Sequence, residues 1–399
     1  METLLNADQG GYRGSRIDCG EGHRAKFVEY RSKQLVTVLS PVDVERAYYH
    51  CARCRQGVIP KDQELDIVDS SFSPGVRRMM GRVGAKEPFD EGRRDLEELA
   101  GVIVKTKAVE RVSEAIGQDV ERFSQVERGA ALSGKLESIE AVDTLYIAMD
   151  GTGVPVVPQE SEGRKGKDET GRAKTREAKL GCVFTQTTVD DQGRPLRDPH
   201  STTYVGAIET AEQFGPRLYA EAVRRGLKRA KRIVVLGDGA VWIRNIVEEH
   251  FHGALQIVDL YHARQHLAEL GKIVYGPAST KAKDWTAGRC GQLDEGNLTA
   301  VLKALKRLRP ADPAAKKAVL ETITYFQTNT ERMRYAQFRS QSLFVGSGVM
   351  EAGCKTIIGL RLKQSGMRWT VRGANSIIAL RCSDLSGRWE EFWEARSLA

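Results

Sequence analysis

Asp150 and Asp238 each close a run of apolar, strand-forming residues, LYIAM (145–149) and IVVLG (233–237), and each is followed at once by glycine. At such a strand end a carboxylate projects from the sheet edge into a crevice, and glycine lets backbone or substrate come close. A third carboxylate, Glu351, falls in the first turn of a helix expected to begin at Ser347, an N-cap residue. Together the three offer the hard oxygen ligands that Mg2+ or Mn2+ takes. Two such ions about 3.5–4 Å apart can activate an attacking oxygen and stabilise a leaving one, the chemistry of phosphodiester cleavage and strand transfer. Each residue also has a plainer reading. Asp150 could cap a turn through Gly151-Thr-Gly153, Asp238 could be a turn residue before a helix at Ala240, and Glu351 could complement a helix dipole or pair with Lys355. The joint pattern favours a metal site.

A second group of ligand types sits near the N-terminus: Cys19 with His23, and Cys51 with Cys54. Between them the residues from Phe27 to Arg46 alternate like two strands. Zinc takes four soft or borderline ligands in a tetrahedron, and so small a segment has little core of its own. The Cys51-Ala-Arg-Cys54 spacing makes a good ligand knuckle, and His50 competes with His23 as fourth ligand. A metal-free hairpin with an inert Cys pair is the alternative. His262 and His266 share a helix face and follow Asp259, a set that suits a second metal site or, as the preferred reading, a structural or DNA-backbone role.

These groups need elements to hold them. Residues 62–84 read as a polar connector. Phe89–Leu99 and Thr106–Ile116 read as two short helices around Gly101, a helix-turn-helix pattern in which Lys105, Lys107 and Arg111 open the second helix toward DNA. An ordinary helical hairpin fits equally well. A polar helix or linker is expected over 118–140. Strands are expected at 145–150, 179–189, 201–208, 233–238 and 254–259, with a mobile loop at 159–174 and a helix at 210–226. Three neighbouring strands followed by strands alternating with helices is a mixed α/β sheet of RNase H-like order. Helices from 260 to about 337 interrupt it as an insertion. The expected division is therefore 1–62 zinc ribbon, 63–140 helix-turn-helix, 141–260 catalytic core, 261–340 helical insertion and 341–399 the core's C-terminal helices.

The chain has 399 residues, 41 % of them hydrophobic and 29 % charged, ample for a sizeable core. No apolar run approaches membrane-spanning length, no signal peptide is evident, and seven cysteines suit a reducing cytosol. Sixty-one Lys and Arg stand against 53 Asp and Glu, a net +8. Two stretches lack acids altogether: 224–232 and 355–381, the latter with Arg361, Lys363, Arg368 and Arg372. They point to a polyanion partner, with the second stretch expected along the DNA beside Glu351. Trp242 and Trp369 read as core residues rather than base-stacking ones.

The segments Asp150-Gly-Thr-Gly-Val-Pro, Leu-Gly-Asp238-Gly-Ala-Val-Trp, Asp259-Leu-Tyr-His262, Gly346-Ser-Gly-Val-Met-Glu351 and Lys363-Gln-Ser-Gly-Met-Arg-Trp369 resemble bacterial insertion-sequence transposases of the ISKra type, akin to the Mutator group. Cys51-Ala-Arg-Cys54 resembles their N-terminal region, so the resemblance runs along nearly the whole chain. It implies an RNase H-like DDE domain with Asp150, Asp238 and Glu351 as triad, Mg2+ or Mn2+ in the active site and a structural Zn2+. It also implies double-stranded DNA partners (element ends and target), a homodimer or higher oligomer, and a bacterial, nucleoid-associated cytoplasmic location. The 113-residue step from Asp238 to Glu351 agrees with the helical insertion of that group. The departure is Cys19-Gly-Glu-Gly-His23, where the family usually shows a Cys pair. Two other functions compete: a catalytically retired transposase that binds DNA without cutting, and a nucleotide-binding turn at Gly237-Asp-Gly239, which lacks the phosphate-loop glycine spacing.

Overall fold

The structure, a computed structural model, describes residues 1–137, 141–162 and 174–398, and within it the chain forms two compact units, Met1–Gln118 and Asp119–Ala399. The last residues of the expected 118–140 helix or linker, and most of the expected 159–174 loop, lie outside the described residues.

The first unit opens with α1 (Glu2–Leu5) and a four-stranded antiparallel sheet in sequence order, β1 (Arg16–Asp18), β2 (Arg24–Val36), β3 (Pro41–Cys51) and β4 (Gln56–Val58). The expected two-stranded segment is therefore larger. The run VTVLSPVDV is not one strand, because Thr37 and Ser40 close a turn, with Thr37 Oγ1 donating to the Ser40 carbonyl at 2.7 Å. Alternation along β3 changes phase at Arg46 and Ala47: Val42 and Val44 are buried with Leu35 and Ile67, whereas Ala47, Tyr49 and Cys51 face the other side and are buried with Ala25. After α2 (Pro60–Glu64) come α3 (Pro74–Lys86) and α4 (Phe89–Ala100). The segment expected as a connector thus holds most of a helix, started by Ser73, whose hydroxyl accepts from Val76 N, and by Pro74 in the first turn. Gly101 ends α4 in the left-handed conformation at φ 64°. After four intervening residues α5 (Thr106–Leu132) begins, and the boundary between the two units falls within it. Ser113 on α5 donates to the Met80 carbonyl at 2.9 Å and locks it to α3.

The second unit is built on a five-stranded mixed sheet. Its strands in chain order are β5 (Thr144–Pro155), β6 (Thr175–Gln186), β9 (Thr203–Ala207), β10 (Arg232–Gly237) and β11 (Leu255–Val258), with β7 (Thr188–Val189) and β8 (Pro195–Leu196) forming a separate hairpin. Spatial order is β11-β10-β5-β6-β9; β11, β10 and β5 run parallel, while β6 and β9 pair antiparallel. Odd positions of β5 (Leu145, Ile147, Met149) join Phe214, Leu218, Ile243, Ile246 and Val247 in the core beneath α6 (Ala211–Arg224) and α7 (Val241–His250). Then follow the helices α8 (Leu260–Tyr275), α9 (Thr280–Asp294), α10 (Leu298–Arg307), α11 (Pro313–Thr328) and α12 (Tyr335–Ser340). The chain ends in α13 (Gly348–Gly353), a wider π turn at Cys354–Gly359, α14 (Leu360–Leu362), α15 (Val371–Leu385) and α16 (Trp389–Leu398). No described helix is long and apolar enough to cross a membrane.

Candidate functional site

In the first unit Cys19 follows β1, His23 precedes β2, Cys51 ends β3 and Cys54 lies in the turn before β4. The Cys19 amide donates to the His23 carbonyl at 2.9 Å, closing one ligand turn. One ligand atom from each of the four lies within 4.8 Å of the others. The Cys19 and Cys54 sulfurs are 3.7 Å apart, far beyond a disulfide bond and close to the separation of about 3.8 Å that bonds of about 2.3 Å to a tetrahedral zinc impose. His23 Nδ1 is 3.0 Å from Cys54 Sγ. Burial, then the adjoining Cys51 and Cys19 sulfurs, pushes the Cys54 thiol well above its ordinary value, a strain that a cation would relieve. The group can therefore hold a zinc ion. The competing ligand His50 is outside it: His50 pairs with Lys26 inside the sheet.

The carboxylates of the second unit are positioned by strand register. Leu236 of β10 stands opposite Ala148 of β5, so Asp238 and Asp150, each two residues on, reach the same level and the same face. Gly237 stands opposite Val258 of β11, which brings Asp259 beside Asp238. The expected turn at 151–153 is absent. β5 continues to Pro155 and pairs with β6 (Asp150 opposite Leu180), so Asp150 sits where β5 outruns β10 rather than at its own end. Asp150 Oδ1 accepts from the Gly151 amide at 2.7 Å, and Cys354 Sγ lies 3.7 Å from Oδ2. Burial and then the charge of Asp238 raise the Asp150 pKa, against the pull of the Gly151 amide, Cys354 and His262. Asp238 Oδ1 accepts from Ala240 N at 2.8 Å, the turn role expected as its plainer reading. Its carbonyl accepts from the Tyr325 hydroxyl of α11 at 2.9 Å.

Asp259 is buried and heavily used. Oδ1 accepts from His262 N at 2.8 Å and caps α8; Oδ2 accepts from both the amide and the hydroxyl of Ser347. Ser347 thus binds Asp259 instead of capping α13 through its side chain. The His262 and His266 rings are 4.9 Å apart, and His266 stacks on Tyr325 at 4.0 Å. Burial and then the charge of His262 lower the His266 pKa, so His266 favours the neutral form. Glu351 is exposed, and among the described residues it forms no ion pair with Lys355. It stands on α13 between Ser347, four residues before, and Cys354, three after; that spacing lies on one helix face. Ser347 holds Asp259 and Cys354 meets Asp150. The three carboxylates are nonetheless not within ligand distance of one another: among the described residues the Cys19–His23–Cys51–Cys54 group alone meets the 4.8 Å criterion.

The C-terminal basic stretch divides. Val157 N donates to the Trp369 carbonyl at 2.9 Å and Trp369 N to the Pro155 carbonyl at 3.1 Å, pinning residues 363–369 beside the end of β5. Lys363 Nζ donates to Thr152 Oγ1 at 2.6 Å, two residues beyond Asp150 on the same strand face. Lys363, Arg368 and Arg372 are exposed. Arg361 is not: its exposure is 0 %, and its guanidinium lies 5.1 Å from the centre of the Trp369 ring. Its assignment as a DNA contact is thus corrected, because a side chain enclosed by the core cannot meet a phosphate. Arg381, from the same acid-free stretch, is likewise buried and donates to the Ile357 and Thr356 carbonyls. Trp369 is core; Trp242 packs against the core edge. In the first unit Lys105, Lys107 and Arg111 are all exposed, with Lys107 paired to Glu110 at 2.6 Å. From sequence Ser347 reads only as an N-cap, and Cys354 and Tyr325 carry no assigned role. Helical spacing from Glu351 reaches the first two, whereas Tyr325 is 87 residues from Asp238 and carries no local signal.

An uncharacterised protein family, UPF0236, matches residues 219–395, a span that includes Asp238, Asp259 and Glu351 but neither Asp150 nor the Cys/His group. A comparison with curated proteins finds no match. Among solved structures, the chain is similar to a Drosophila P element transposase strand transfer complex at 10 % identity, over 80 % of each chain, with a TM-score of 0.24. A likeness that slight bears on neither fold nor function.

Proposed function

We propose that the second unit is an RNase H-like DDE transposase domain that cleaves DNA strands and joins them to a target. Asp150, Asp238 and Glu351 would hold Mg2+ or Mn2+. Supporting the fold is the strand order, three antiparallel-linked strands first and two parallel crossovers after them on the other side of β5. The observation that carries the reading is the tethered face of α13. Ser347 grips Asp259 at one end and Cys354 meets Asp150 at the other, and Glu351 falls between these two tethers in the sequence. The two aspartates offer oxygen ligands; burial, and then the charge of Asp238, lifts the Asp150 pKa, and a divalent cation would offset both. When bound, the metal pair would activate the attacking oxygen and stabilise the leaving one. The protein's own contribution is positional. Gly151 and Ala240 amides orient the Asp150 and Asp238 carboxylates, Tyr325 holds the Asp238 backbone, and Lys363 stands ready for a phosphate beside Asp150. α13 would have to bring Glu351 to the two aspartates, a rearrangement that DNA and metal binding would complete. In the first unit a structural Zn2+ on Cys19, His23, Cys51 and Cys54 would stabilise the sheet, with Lys105, Lys107 and Arg111 of the helical part contacting DNA.

The test is nicking of supercoiled plasmid by the full-length protein in Mn2+ or Mg2+. Asp150→Asn, Asp238→Asn and Glu351→Gln are each expected to lower the rate at least a hundredfold with plasmid binding retained. Wild-type binding without any metal-dependent nicking would instead favour a retired, DNA-binding role.

A further inference from the structure

We infer that the open cleft between α7, the start of β11 and the Thr330–Met333 turn is a second site, built for a phosphate group. The cleft measures about 460 Å³, and Arg244, Gln256, Arg332, Arg334, Gln337 and Gln341 line it. It lies at the opposite end of β11 from Asp259; the three residues from Gln256 to Asp259 span about 10 Å along the strand. This site is independent of the carboxylates and of the reading given to them.

The three arginines differ in their partners. Arg334 is neutralised by Glu331. Arg244 has its Nε buried without a hydrogen-bond partner and is paired, among the described residues, only with the exposed Glu248, in a loose i,i+4 ion pair at 3.7 Å. Arg332 reaches only neutral acceptors, Gln256 Oε1 and the Thr328 carbonyl, both at 3.4 Å, the outer limit of a hydrogen bond. Among the described residues no carboxylate forms a salt bridge with it. Burial, and then the charge of Arg244, pulls the Arg332 pKa below its ordinary value against the smaller opposing influence of Glu248 and Tyr325, so two guanidinium groups stand close enough to repel. A guanidinium fork binds an oxyanion through two parallel N–H donors, and such charge-assisted bonds are about twice as strong as neutral ones. A phosphate can take a fork from each arginine and still offer an oxygen to the amides of Gln337 or Gln341. A carboxylate has too few oxygens and too little charge to satisfy both forks. The phosphate could belong to a nucleic-acid backbone or be free in solution; the chemistry of recognition is the same.

Two titrations of the full-length protein separate these sources. Inorganic phosphate is titrated calorimetrically at constant ionic strength, and a duplex of arbitrary sequence is titrated by fluorescence anisotropy over a range of salt. The double variant Arg244→Gln/Arg332→Gln is expected to lose at least tenfold in phosphate affinity. If the backbone is the source, the log–log salt slope for duplex binding also falls by about 1.8, since each phosphate contact contributes about 0.9. If the source is a free phosphate, that slope stays at the wild-type value. The inference is overturned if the phosphate affinity and the duplex slope both match wild type. The double variant is expected to fold, since it relieves the repulsion between the two arginines and loses only an exposed ion pair and two long hydrogen bonds. Should it fail to fold, Arg244→Gln alone, on a part-exposed side chain, carries the same two readings.

Discussion

Gly239 shows how closely the Asp238 turn is built. Its φ is +90°, and a Cβ there would stand 3.2 Å from both Asn329 and Tyr325, the residue whose hydroxyl holds the Asp238 carbonyl. Left-handed backbone costs an L-residue about 1–2 kcal/mol before any contact is counted. Gly239→Ala is therefore expected to lower unfolding free energy by about 2 kcal/mol in denaturant melts, while the same change at Gly288, where a Cβ meets nothing, should not destabilise. Asp150 and Asp238 were visible in the sequence because a carboxylate ending an apolar run, followed by glycine, is a local pattern. Arg361 was misread for the complementary reason. An arginine in an acid-free stretch looks solvent-facing until Trp369, eight residues on, is seen to cover it.

At the scale of elements, the segment of α5 from Asp119 onward is attached to its neighbours mainly by ion pairs. Glu121 accepts from Arg217 NH1 at 2.7 Å and NH2 at 3.0 Å, Arg128 joins it, and Glu127 pairs with Arg388. Burial opposes ionisation of Glu121, but the hydrogen bonds and charges of Arg217 and Arg128 prevail and hold its pKa below the ordinary value. A carboxylate depressed on folding stabilises the protein above its unfolded pKa, and that contribution disappears as pH falls through the folded value. Glu121→Gln should thus cost about 1.5 kcal/mol near neutrality, since Arg217 loses one carboxylate partner but keeps its bidentate pair with Glu209, and the gap to wild type should narrow below the ordinary glutamate range. Equal melting-temperature differences at pH 7 and pH 3.5 would contradict this. Two helices around Gly101 and the strands were legible because hydrophobic period distinguishes helix from strand, although the second helix runs to Leu132 rather than Ile116. The continuation of β5 past Asp150 was not, since Gly-Thr-Gly reads as a turn until β6 supplies a partner. For the Cys/His sheet, Cys54→Ser should abolish stoichiometric zinc, and chelation should unfold the sheet as judged by loss of strand circular dichroism.

For the molecule as a whole, the proposed function joins three things on one sheet edge: two aspartates in register, a helix bearing Glu351, and exposed basic residues beside them. Lys363→Ala with Arg368→Ala should weaken binding to all duplexes alike and flatten the salt slope by about 1.8. The strand order was legible from the alternation of elements, but the manner in which α13 is tethered was not, because Ser347 and Cys354 meet partners 88 and 204 residues away. The central claim, that Asp150, Asp238 and Glu351 bind metal as one site, is tested most directly by electron paramagnetic resonance of Mn2+ with the full-length protein and duplex DNA. Wild type should bind Mn2+. Asp150→Asn and Asp238→Asn should each abolish that binding, Glu351→Gln should weaken it, and Cys54→Ser should leave it intact. Mn2+ binding unchanged in all three carboxylate variants would contradict the account.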